Sequence, residues 1–216
     1  MSMDVESRKG KADRTYDATR RRDRARQQHD TALDEAERLF LERGYSATTV
    51  ESIAQAAGVS AATVYKSYGG KVGIVGSLCE RALRGDGAAP AEERSDALRL
   101  GDDPRAVIAG WGALAVEVAP RVSPLMLLLR TAAGTDSEAT TLYTEVADAR
   151  LGRMAANARY LVEGGHVRPG VTIEEARDVL WMCSSPELYD LMVCQRGWSP
   201  QRYGQLVATT IEGSLL

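Results

Sequence analysis

Histidine, cysteine and phenylalanine are scarce in this chain of 216 residues: two, three and one, respectively. His29 stands beside an arginine-rich segment and His166 in a glycine turn, both surface settings rather than catalytic ones. Cys79, Cys183 and Cys194 show no metal-ligand spacing and are odd in number, which argues for packed thiols in a reducing cytoplasm. No P-loop, G-x-G-x-x-G, H-E-x-x-H or G-x-S-x-G pattern occurs. The paired carboxylates Glu174 and Glu175 sit at a helix start, where the helix dipole accounts for them. An enzyme, a bound metal and a cofactor are therefore not expected. No run of 18 or more apolar residues exists, so no membrane-spanning helix is expected, and the N-terminus lacks the apolar stretch of a secretory signal. Strand-like alternation and internal repeats are also missing. What remains is helical periodicity, and the fold class it predicts is all-α.

Charge is unevenly spread. The net charge of −3 is unfavourable for a nucleic-acid partner, yet residues 1–71 carry 13 Lys/Arg against 11 Asp/Glu and the rest 14 against 19. Counterion release acts only where phosphates are touched, so the local excess matters more than the total. Residues 1–18 are polar and aperiodic and are expected to form a disordered tail. Arg20, Arg21, Arg22, Arg24 and Arg26 follow. They read either as a solvated charge run or as a basic arm, or first helical turn, lying along DNA.

Helix 1 is predicted over about Thr31 to Arg43, ended by Gly44. Val50, Ile53, Ala54 and Ala57 then place one apolar stripe on a short helix. Thr48 or Thr49 caps it; Thr48 with Glu51 would form a capping box, whereas Thr49 would lack that partner. Gly58 supplies the left-handed turn, and Ser60 caps a second helix, Ala61 to Tyr68. Two short helices joined by a glycine turn make a helix-turn-helix, whose second helix enters the major groove. Its outer positions, Ser60, Ala61, Ala62, Thr63, Tyr65, Lys66 and Ser67, include no acid, and Lys71 follows one turn later.

These residues resemble the tetracycline-repressor-like (TetR-type) transcriptional regulators. The resemblance is carried by Leu33, Ala36, Leu39, Phe40, Gly44 and Tyr45, then by T-T-V-x-x-I-A-x-x-A-G-V-S-x-x-T-x-Y from Thr48 to Tyr65, with Tyr68 and Lys71 beyond. It implies a three-helix DNA-binding domain, a C-terminal helical ligand and dimerisation domain, and a homodimeric repressor. By position, Thr49, Ser60, Ala61, Ala62, Thr63, Tyr65, Lys66, Ser67 and Lys71 match sites where that family touches DNA. Ser67 stands where an aromatic or histidine is usual, Tyr68 for Phe, and Gly69–Gly70 for a proline or polar pair.

A DNA-binding domain with its connecting helix is thus expected over residues 19–83, and a helical domain over 84–216. In the second, Ala106–Val118 is expected to break near Pro120, and Val122–Thr131 is the most apolar segment. Asp136–Glu163, Ile173–Ser184, Pro186–Gln195 and Pro200–Leu215 follow as helices, three of them opened by Ser-Pro or a Thr172/Glu175 capping box. Trp111, Met126, Leu127, Met154, Tyr160 and Trp181 are candidates to line an apolar cavity. Arg130 either caps its helix or meets a ligand anion there. Val179, Leu180, Leu206, Val207 and Ile211 offer stripes for a two-fold interface. The function expected is a cytoplasmic, homodimeric repressor that binds a DNA operator and is relieved by a small molecule. A helical scaffold or protein-interaction module without DNA binding is the alternative.

Overall fold

The structure is a computed structural model that describes residues 4–85 and 87–216, with side chains at Arg22 and Arg24 and continuously from Arg26 apart from residue 86. Among the described residues there are ten α-helices and a π-helical turn, and no strand. The all-α expectation holds. Two compact units divide at residues 74 and 75, inside helix α4, against the boundary expected at residue 83.

In the first unit α1 (Asp4–Arg43) packs against α2 (Val50–Ala57) and α3 (Ala61–Tyr68). The helix starts far upstream of Thr31 and takes in residues 4–18, assigned to a disordered tail by their composition. That stretch contains no proline, so nothing in it blocks the helix from propagating once it has formed downstream. Residues 1–3 lie outside the described residues. Phe40, Leu39, Ile53 and Val64 are almost fully buried and form the core that holds the three helices.

The second unit contains most of α4 (Lys71–Arg84), then α5 (Ala91–Leu98), α6 (Pro104–Ala133), α7 (Ser137–Glu163) and α8 (Ile173–Cys183). It closes with α9 (Pro186–Tyr189), the π-helical turn Asp190–Gln195 and α10 (Pro200–Leu215). Helix α6 is central, touching α5, α7, α9 and α10. It runs unbroken through Pro120 and Pro124, contrary to the break expected at Pro120. An interior proline costs about 3 kcal/mol, but burying a large apolar side chain returns roughly 1.5–3 kcal/mol. Leu125, Met126 and Leu129, one turn on, are all buried, so packing wins. By length and a mean hydropathy of 1.5 over 18 residues α6 could cross a bilayer, yet Glu117 and Arg121 lie within it and its neighbours are helices of the same unit.

Helices α6 and α10 approach at their glycines. A methyl group on Gly204 would sit 2.6 Å from the Gly112 carbonyl oxygen, and one on Gly112 2.7 Å from that of Gly204. Because the obstacle is backbone, it cannot swing aside. Gly204→Ala gains about 1 kcal/mol of helix propensity but overpacks at a cost of roughly 1–3 kcal/mol. Net destabilisation is therefore expected, seen as a lower urea midpoint at unchanged slope.

Candidate functional site

The turn between α2 and α3 shows why these residues fold as they do. Thr49, not Thr48, caps α2, and the capping box that appeared to lack a partner is completed by Ser52. The Ser52 amide donates to Thr49 Oγ1 and the Thr49 amide to Ser52 Oγ, both at 3.1 Å. Thr48 is instead fully buried, its hydroxyl 2.9 Å from the Gly44 carbonyl and 3.1 Å from that of Leu39. It ties the end of α1 to the start of α2. Gly58, at φ +65°, stops α2: its amide donates to the Gln55 carbonyl and that of Val59 to Ala54. Ser60 Oγ then accepts from the Thr63 amide at 3.1 Å and caps α3.

Most of the candidate contact residues are open to solvent. Thr49, Ser60, Ala62, Thr63, Tyr65, Lys66 and Ser67 are exposed, while Ala61 and Lys71 are partly covered. Arg22, Arg24 and Arg26 are exposed on α1; the Arg20 side chain lies outside the described residues. Val64, on the opposite side of α3, is buried. Lys71 is engaged by its own fold, since Nζ donates to the Tyr45 carbonyl at 2.7 Å and lies 4.1 Å above the Tyr45 ring. Tyr68 donates to the His29 carbonyl at 2.9 Å, which ties the end of α3 to α1.

In the second unit a cavity of about 410 Å³ is lined by Val118, Val122, Met126, Leu142, Val146 and Met154 together with Arg150, Arg153 and Ser184. A smaller space of about 150 Å³, lined by Trp111, Met154, Leu180, Val207 and Ile211, adjoins it through shared walls. Of the residues expected there, Trp111, Met126 and Met154 do line these spaces. Leu127, Arg130, Tyr160 and Trp181 do not. Arg130 is exposed in the last turn of α6, where its charge suits the helix dipole, and is paired with Glu187, so of its two expected roles the cavity one is not seen. Tyr160 donates to the Gly101 carbonyl at 2.7 Å. Trp181 turns its ring onto the Arg150 guanidinium at 3.3 Å. The interface stripe is also corrected: Leu180, Val207 and Ile211 are buried in this chain's own core, leaving Val179 and Leu206 partly covered.

Sequence reasoning missed the polar groups. Arg150 is half-buried, and its surroundings lower its pKa to about 10, chiefly through loss of hydration. Glu117 accepts from both Arg94 nitrogens at 2.6 and 2.7 Å and from Arg121 at 2.8 Å. These bonds, Arg94 first, hold its carboxyl at about 2. A carboxylate depressed on folding contributes stability above its ordinary value of 4.5, and loses it as pH falls toward 2. Between about pH 5 and pH 3, wild type is expected to lose stability relative to Glu117→Gln, measured by urea unfolding at each pH. Cys79 and Cys183 are buried free thiols, each raised to about 11 by burial, whereas Cys194 is exposed rather than packed. No metal-holding cluster of His, Cys, Asp or Glu occurs among the described residues.

Residues 32–78 match the family model described as bacterial regulatory proteins, tetR family. Over that segment the chain is TetR-like. No curated protein matches it significantly by sequence. Solved structures place the whole TetR-like fold in company. A SmeT–triclosan complex superposes with a TM-score of 0.69 at 21% identity, covering 88% of this chain and 91% of that one. NalD, the secondary repressor of the MexAB-OprM multidrug efflux pump in Pseudomonas aeruginosa, gives 0.70 at 20%, covering 89% and 97%. PfmR, a TetR family transcriptional regulator from Thermus thermophilus, gives 0.60 at 23%, covering 85% and 96%. The matched residues 32–78 span the helix-turn-helix formed by α2 and α3.

Proposed function

We propose that the chain is a cytoplasmic repressor that binds a DNA operator as a homodimer and is released by a small molecule. The observation that carries this is the acid-free outer face of α3, capped by Ser60 and open to solvent. Small Ala61 and Ala62 permit close approach to base edges, with Thr63 beside them, and Tyr65 and Lys71 are positioned as phosphate contacts. Ligand release is supported by the cavity, whose volume falls in the range of roughly 300–1,000 Å³ usual for small-molecule sites. Gly76, Cys79 and Leu83 of α4 line it. A ligand that shifts them acts on a helix whose first turn belongs to the DNA-binding unit.

Lys71→Ala is expected to weaken binding to all sequences about equally and to lower the salt slope by roughly one unit. An unchanged slope would remove Lys71 from the contacts. Dimerisation is assigned to α8 and α10. With Leu180, Val207 and Ile211 turned inward, the contact falls to Val179, Leu206 and exposed Met182. A stable monomer at micromolar concentration in sedimentation would overturn that assignment. The function itself is tested by mobility shift on duplexes from the DNA flanking the chain's own gene.

A further inference from the structure

We infer that the molecule accepted by the cavity is an organic anion, an apolar body ending in a carboxylate that docks on Arg150. The inference rests on the reading of the cavity as an effector site and names the chemistry that site selects. Val146, Arg150 and Met154 succeed one another at i, i+4 and i+8 on α7, and all three line the cavity. A cation therefore stands between two apolar side chains of that row.

The orientation of that cation is fixed. Nη1 donates to the Trp181 carbonyl at 3.0 Å and to Ser184 Oγ at 2.9 Å, while the Trp181 indole covers one face of the guanidinium. Nε is buried and has no hydrogen-bond partner, and Nη2 makes no hydrogen bond among the described residues. Nε–H and the adjacent Nη2–H point in parallel along one edge of the planar group, the geometry that a carboxylate meets with two bonds. No carboxylate lies within ion-pair distance of Arg150 among the described residues. Glu187, the acid whose field it feels most, is engaged by Arg130, and Glu92 at the cavity is engaged by Arg153. Glu80 and Glu145 also border the cavity but are exposed, where water screens them. A half-buried cation whose Nε–H lacks a partner is costly to leave so.

The test uses the full chain without DNA, with decanoate, decanol and decylamine as probes of matched apolar length, read by tryptophan fluorescence and calorimetry. Decanoate is expected to bind at least about tenfold more tightly than decanol, the discrimination of one charge-assisted pair, and decylamine the least. In Arg150→Met, checked for folding by circular dichroism, decanoate loses that advantage while decanol binding is kept. Arg150→Lys keeps a point charge without the fork and is expected to fall between. Equal binding of the three probes to wild type overturns the headgroup assignment and leaves the cavity standing, as does an undiminished decanoate preference in Arg150→Met. Binding of none overturns the cavity reading and the assignment with it.

Discussion

Ala62→Glu is expected to reduce operator binding on the order of a hundredfold or more while leaving the protein as stable as wild type. The two effects separate because Ala62 is exposed in the first turn of α3. A carboxylate there lies near the positive end of the helix dipole, which favours it slightly in the free protein. In the proposed complex the same carboxylate would occupy the surface through which Ala61 and Ala62 reach base edges and would face phosphate charge. Like charges brought together at an interface cost several kcal/mol. Fluorescence anisotropy on operator and thermal unfolding measure the two quantities. Unimpaired binding would show that this face of α3 does not meet DNA.

The second large effect concerns the arginines. As an extended arm, Arg22, Arg24 and Arg26 would all be free to follow a groove. On a helix they are not equivalent. Arg22 and Arg26 are four residues apart and share a face, whereas Arg24 lies about 200° round from Arg22. Arg22→Ala with Arg26→Ala is therefore expected to lower the salt slope by about two units and weaken binding roughly fiftyfold near 0.1 M salt. Arg24→Ala alone should do little. If operator and random duplex weaken by the same factor, the segment holds backbone; a larger loss on operator means it reads groove width. No change in either variant identifies the run as a solvated face.

Much of the DNA-binding unit was legible because its signals are local. Gly58 after an apolar stripe and Ser60 before Ala61 fix the turn through bonds within a few residues. Where the reading erred, the competing partner was equally local but less expected: Ser52 completes the box that Glu51 was considered for, freeing Thr48 for the core. The second unit was legible as helices but not as a site. Periodicity shows that Leu180, Val207 and Ile211 are buried, yet it does not say whether their own chain or a second copy covers them. The prolines of α6 suggested a break because the packing that outweighs their cost comes from α7, α9 and α10, distant in sequence. Arg150 left a trace, a cation at the centre of the Val146–Met154 stripe. Its fixed orientation depends on Trp181 and Ser184, more than 30 residues away. The α6–α10 glycine contact left none, since either glycine alone passes for a helix residue of low propensity.

The central claim, a DNA-binding repressor controlled through a cavity, is tested most directly by one titration. Full-length protein is bound to a labelled duplex from the region flanking its own gene, with an unrelated duplex of equal length as competitor. Decanoate is then added to wild type and to Ala62→Glu in parallel. Salt-dependent binding at least about a thousandfold tighter for the specific duplex is expected, released by decanoate, and none in the variant. Equal affinity for both duplexes, or a specific complex that decanoate leaves intact at concentrations saturating the cavity, would contradict it.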